Sequence, residues 1–152
     1  MIESLRRLFE KDAALSEEDR DRALRLATVA LFFEVARADG QVDEEERRTM
    51  RAAIQSTFEI GPDEIDSLMR EGEERSRTAV SLYEFTRVVD EALGPEDKKR
   101  VIELLWLLAF ADQRKDPLEE YLVRMVAGLL HVPHPDFIDA KIRARESSTP
   151  DE

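Results

Sequence analysis

Residues 25–67 of this 152-residue chain recur, shifted by seventy-three positions and without a gap, as residues 98–140. Leu31 falls on Leu104, Phe33 on Trp106, Ala36 on Ala109 and Ala38 on Ala111. Asp39, Asp43 and Glu46 fall on Asp112, Asp116 and Glu119, and Arg51 on Arg124. Pro62-Asp63 meets Pro135-Asp136, and Ile65-Asp66 meets Ile138-Asp139. The match spans three helix-like runs and both turns between them, which is the signature of a duplicated structural unit. Two three-helix units packed about a pseudo-twofold are expected. The apolar runs 24–38 and 97–111 then cross at the centre, with Phe33 and Trp106 in equivalent buried positions. One unit alone could not bury its apolar helix, so the two read as one domain, residues 1–145. The polar end "ESSTPDE", residues 146–152, is expected to be a disordered tail.

Apolar residues elsewhere also recur at three and four rather than two, so the chain is expected to be all-α, a bundle of about seven or eight helices. Ile2, Leu5, Leu8 and Phe9 give a short amphipathic helix. Ser16 with Asp19 resembles a capping box and opens a long helix to about Ala38. From Leu24 onward that helix is apolar nearly all round, as a buried helix is. Asp43 opens the next helix, with Met50, Ile54 and Phe58 on one face. Gly61-Pro62 breaks it, and a further helix runs through Ile65, Leu68 and Met69. Its end, "REGEERSR" at 70–77, reads as a solvated charge run. Ser81 with Glu84 forms a capping box for "LYEFTRVVDEAL". Gly94 suits a helix end and Pro95 a helix start. Asp116-Pro117 opens a helix that ends near His131, and a short one covers 136–144.

Charge narrows the partners. The formal net charge of −12 argues against nucleic acid, which clustered Lys and Arg must meet. It accords with cation binding, a basic partner or solubility. The chain has no cysteine, which removes disulfides, thiolate metal sites and cysteine nucleophiles and fits a reducing, cytoplasmic setting. The start "MIESLRRLFEKD" is too polar for a signal peptide, and no run is long enough to span a membrane.

The acidic elbows "ARADGQVDEEER" (36–47) and "AFADQRKDPLEE" (109–120) carry the chemistry. Asp43-x-x-Glu46 and Asp116-x-x-Glu119 have capping-box spacing, and Pro117 sits at the first helical position. Capping accounts for these four carboxylates at about 0.5–2 kcal/mol per cap. It accounts less well for Asp39 and Asp112, which meet the negative end of a helix dipole at a cost of about 0.3–1 kcal/mol. An acid at the end of one helix, close before an acidic cap on the next, makes a turn of converging oxygens suited to a hard cation such as Ca²⁺ or Mg²⁺. The EF-hand ligand rhythm is missing. Capping and ligation are two readings of the same side chains, and they are compatible because a capping carboxylate keeps free lone pairs.

The pattern A-D-G-x-V-D-x-x-E after an apolar helix, with its second copy "ADQRKDPLEE", resembles the tellurite-resistance TerB family. The same superfamily holds the N-terminal domain of the membrane-anchored DnaJ-like co-chaperone DjlA. The resemblance covers about residues 20–142. It implies an all-α fold, an acidic metal site and no enzymatic activity. By that resemblance the metal ligands are Asp39, Asp43 and Glu46, with Asp112, Asp116 and Glu119 in the second copy. The second copy departs from the pattern, with Gln113 for Gly40 and Lys115 for Val42.

His131 and His134 in "HVPHP" lack a third ligand for zinc. His131 reads as packing at the position of Phe58, and His134 as solvent-facing. No P-loop, GxSxG, HExxH or dinucleotide fingerprint occurs. The expected function is therefore a cytoplasmic, non-enzymatic protein that binds or senses a divalent metal and works through a protein partner, in tellurite or stress resistance as the family name implies. The alternative is a metal-independent adaptor whose elbows are only caps. A carboxylate-based enzyme ranks third, without an aromatic-rich groove to accompany it.

Overall fold

A helix whose whole circumference is apolar must lie inside, and the second half of the helix Glu17–Ala36 (α1) does so. Every residue from Leu26 to Phe33 is buried, as are Val35 and Ala36. The one polar member of that run, Thr28, satisfies its hydroxyl by donating to the Leu24 carbonyl at 2.8 Å. Ser16 starts the helix as expected, its Oγ accepting the Asp19 N–H at 3.2 Å.

The computed structural model describes residues 16–39, 42–111 and 117–148. Among these the chain is all-α, without a strand. A 3-10 turn, Arg37–Asp39, follows α1. Then come α2 (Glu44–Phe58), α3 (Pro62–Thr78), α4 (Tyr83–Ala92), α5 (Pro95–Ala111), α6 (Pro117–Leu129) and α7 (His134–Ser148). The helix expected at Ile2–Phe9 lies outside the described residues. At the other end α7 continues through Glu146, Ser147 and Ser148, three residues into the segment expected to be disordered. No helix among the described residues is long and apolar enough to cross a membrane.

Helix starts follow local chemistry. Gly61 caps α3 with Pro62 in its first turn, and the Gly94 carbonyl accepts the Lys98 N–H at 3.0 Å behind Pro95. At α4 the expected box is rearranged. Ser81 Oγ takes the Tyr83 N–H (3.1 Å), while Glu84 reaches back to the N–H groups of Val80 (2.9 Å) and Ser81 (3.4 Å).

The duplication is visible in the packing. α1 lies along α3, and α5 lies along α7, as the two most extensive helix pairs. α1 and α5 touch at the centre. The second helices are placed differently: α2 packs more on α5 than on α1, whereas α6 packs on α5 and to a lesser extent on α1. α4 is additional to the three-helix units, and it lies across α1 and α6. Phe33 and Trp106 are both buried, at 0% and 1% exposure, as the pseudo-twofold requires.

The ungapped alignment fails in one place. Glu59 (φ 52°) and His131 (φ 61°) are the two left-handed non-glycine residues among the described ones, and they stand 72 apart, not 73. The helix ends close alike, by Ile60 N–H to Gln55 O (3.3 Å) and Val132 N–H to Ala127 O (2.9 Å). One residue is therefore missing near the end of α6, and every later position slips by one. In a helix that is a turn of about 100°. α3 buries Ile65, Leu68 and Gly72, whereas α7 buries Phe137, Ala140 and Ala144. Phe137, not Ile138, is the counterpart of Ile65, and Ile138 is 37% exposed. The same slip corrects the packing expected for His131. It matches Glu59 rather than Phe58, its side chain is 74% exposed, and its Nδ1 lies 3.1 Å from Asp90 Oδ1. Leu130, fully buried, takes the place of Phe58. His134 is exposed as expected, its ring beside Phe137.

Candidate functional site

Asp43 holds an extended backbone (φ −84°, ψ 172°) immediately before α2, so its carboxylate folds over the first turn. Its Oδ1 accepts the Glu46 N–H at 2.7 Å, and Glu46 Oε1 accepts the Asp43 N–H at 3.4 Å. The capping box read from the spacing is thus present at the first elbow. Replacing Asp43 by alanine is expected to lower stability by about 0.5–2 kcal/mol. A melting curve in EDTA measures the capping part alone, and an unchanged curve would refute it.

Glu46 does more than cap. It is 1% exposed, and so is Glu119 at the matching position of α6. Glutamates in the first turn of a helix are ordinarily solvated, as Glu44 and Glu45 are. A carboxyl group is thus buried in each half at the start of the helix that follows the elbow, where its charged form is costly unless compensated.

Asp39 ends the 3-10 turn that follows α1, and this turn packs against α6. Its side chain, and the whole of Asp112 and Asp116, lie outside the described residues. Asp43 and Glu46 are thus brought together, Glu119 occupies the equivalent place in the second half, and the remaining three have no described side-chain position. Among the described residues no three His, Asp or Glu side chains come close enough to hold a metal ion.

Two polar networks fix the first elbow. Arg37 in the 3-10 turn donates to Ser76 Oγ, and Ser76 Oγ donates to Glu34 Oε1 at 3.0 Å. Arg47 forms a two-pronged pair with Glu73 (2.9 and 3.3 Å) and lies 5.5 Å from the Phe33 ring centre. The Arg47 hydrogen bond holds the Glu73 carboxyl below the ordinary glutamate range, against the opposing effect of burial. The start of α2 is thereby clamped to α3 and to α1. A groove of about 610 Å³ runs beside it between α2 and α3, lined by Arg47, Arg48, Arg51, Arg70, Asp66 and Glu73.

Both networks use residues of the charge run 70–77, which was expected to be a solvated helix end. Gly72 and Ser76 are buried and Glu73 is half-buried. The signal was the stripe Ile65, Leu68, Gly72, Ser76 at helical spacing, carried at its end by small residues rather than apolar ones.

A family model described as tellurite resistance protein TerB matches residues 25–142. No curated protein and no solved structure matches the chain. The matched span begins in the apolar half of α1 and ends in α7, so it contains both elbows and both copies of the repeat.

Proposed function

The chain belongs to the tellurite-resistance TerB family, and from that premise we propose that it is a non-catalytic, cytoplasmic protein that binds a hard divalent cation, Ca²⁺ or Mg²⁺, at its acidic elbows and acts through a protein partner in tellurite or stress resistance. The observation that carries the reading is the matched burial of Glu46 and Glu119 beneath the two elbows. Oxygen donors at least partly withdrawn from water suit Ca²⁺ and Mg²⁺. Asp39, Asp43 and Glu46 would hold the ion at the first elbow, and Asp112, Asp116 and Glu119 at the second. The cation would offset the clustered negative charge and tie the end of one helix to the start of the next. The first elbow is the stronger candidate. Gly40 permits a tight turn there, whereas Lys115 brings a competing cation into the second. The charged groove between α2 and α3 adjoins the first elbow and is a suitable place for a partner to sense its state.

Calorimetry and melting, with Ca²⁺ or Mg²⁺ and with EDTA, test the metal. An ion that binds only the folded state should stabilise it by about 2.7 kcal/mol at a hundredfold excess over its dissociation constant. Asp39→Asn should abolish that gain. If the variant responds to saturating cation as the parent does, metal at this elbow is refuted.

The capping box at Asp43 and Glu46 favours a second reading, a metal-independent adaptor in which the carboxylates serve the helix alone. It is distinguished by melting temperatures that are the same in cation and in EDTA. An enzymatic reading would need turnover that Asp39→Asn removes.

A further inference from the structure

We propose that the groove between α2 and α3 receives an acidic segment of a protein partner, whose carboxylates pair with Arg48, Arg51 and Arg70. The inference rests on the partner half of the function proposed above and not on its cation half. It begins from a reversal of charge. The whole chain carries 35 acidic side chains against 23 Lys and Arg. The groove lining sets four arginines, Arg47, Arg48, Arg51 and Arg70, against Glu44, Asp66 and Glu73, with apolar Met69 among them.

The four arginines are not equally committed. Arg47 holds Glu73 in two prongs, and the Glu73 side chain is only 16% exposed, so this pair belongs to the clamp at the elbow. Arg51 pairs with Asp66 across the groove, and both side chains are open to water, at 42% and 60%. Arg48 pairs with Glu45 on its own helix, again with both exposed. Ion pairs so solvated are weak and exchange partners readily. Arg70 stands on α3 between Asp66 and Glu73, exposed, and pairs with no carboxylate among the described residues.

The duplication supplies an independent comparison. Allowing for the one-residue slip, Arg48 and Arg70 match Tyr121 and Ile142, which are exposed as well. The fold accepts an apolar side chain at both places, so neither arginine is needed to build the bundle. The arginines are a property of this groove and not of the repeat.

Chemistry selects the occupant. The guanidinium fork takes a carboxylate through two parallel hydrogen bonds. A nucleic-acid backbone is a long polyanion, and the net charge of −12 repels it over the rest of the surface. A short acidic segment meets the groove alone. Met69 lets that segment carry an apolar side chain among its carboxylates, because a thioether adapts to varied shapes.

Calorimetry on the full-length chain tests the proposal, with the capped synthetic peptides Glu-Glu-Leu-Glu-Glu and Gln-Gln-Leu-Gln-Gln and with inorganic phosphate. The glutamate peptide should bind about tenfold or more tighter than the glutamine peptide, and more weakly as salt rises. Arg70→Gln should weaken it by about tenfold, through loss of one charge-assisted pair. Asp66→Asn should tighten it by about threefold, because it frees Arg51 from an internal competitor. No binding of the glutamate peptide at millimolar concentration, equal binding of the glutamine peptide, or phosphate bound as tightly as the peptide overturns the proposal. So does an Arg70→Gln variant that binds as the parent does, or an Asp66→Asn variant that binds no tighter. Each titration is made in EDTA and in saturating Ca²⁺. Peptide binding without any uptake of Ca²⁺ removes the cation reading and keeps this one, and Ca²⁺ uptake without peptide binding does the reverse.

Discussion

Truncating Trp106 to alanine is expected to cost about 3–5 kcal/mol, a large share of what a domain of this size has. Trp106 is 1% exposed in the middle of α5. Its ring lies 5.6 Å from those of Phe110 and Phe137, and Lys141 Nζ lies 4.9 Å above it. Removing the indole therefore opens a cavity shared by α5 and α7, and rigid helices bound by neighbours on other sides close it poorly. Denaturant unfolding measures the loss. A cost below about 1 kcal/mol would mean that the central crossing carries little of the stability.

Gly72→Ala is the second large expectation, and its sign is the test. In a solvated helix the change would stabilise by about 1 kcal/mol. Here the new Cβ would stand 2.3 Å from Val29 Cγ1 and 2.8 Å from Val29 Cβ. Val29 is fully buried and β-branched, so it has no free rotamer into which to retreat. α3 must move away from α1, at about 1–3 kcal/mol for overpacking. That displacement also pulls on Ser76 and Glu73, which fix the turn and cap of the first elbow. Val29→Ala should recover much of the loss when combined with Gly72→Ala, a coupling that a double-mutant cycle reads directly. A stabilised Gly72→Ala single variant would show that the close approach of the two helices is not required.

Much of this architecture could be read from residue spacing, for identifiable reasons. The second halves of α1 and α5 are apolar on nearly all sides, and only an enclosed helix can be so. The elbows carry their own start signals, and the Asp43 cap appears where Asp-x-x-Glu placed it. The misreadings share a cause as well. Pro62-Asp63 and Ile65-Asp66 find convincing matches at Pro135-Asp136 and Ile138-Asp139 with no gap, so the lost residue in α6 left no trace in the alignment. Burial reveals it, because one residue turns Phe137 inward and Ile138 outward. The stripe on α3 was hidden because Gly72 and Ser76 are not apolar. Depth was illegible for Glu46: a glutamate at the third helical position looks the same in sequence whether solvated or sealed beneath its own cap. At the elbows, spacing names the carboxylates without saying which of them meet.

The packing of α2 on α5 has a consequence for how the molecule comes into being. Because α2 rests more on α5 than on α1, and α4 lies across α1, the first half does not own a finished interior. The nascent first half would leave α1 only partly covered, by α3 and α2, until α4 and α5 arrive. Such long-range closure raises contact order and favours a single all-or-none folding event over stepwise assembly of two modules. It also means that the exposed connection at Val80, between α3 and α4, is covalently convenient rather than mechanically essential. A protease cut there would yield two polypeptides still held together by the packing of α1 on α4 and of α2 on α5.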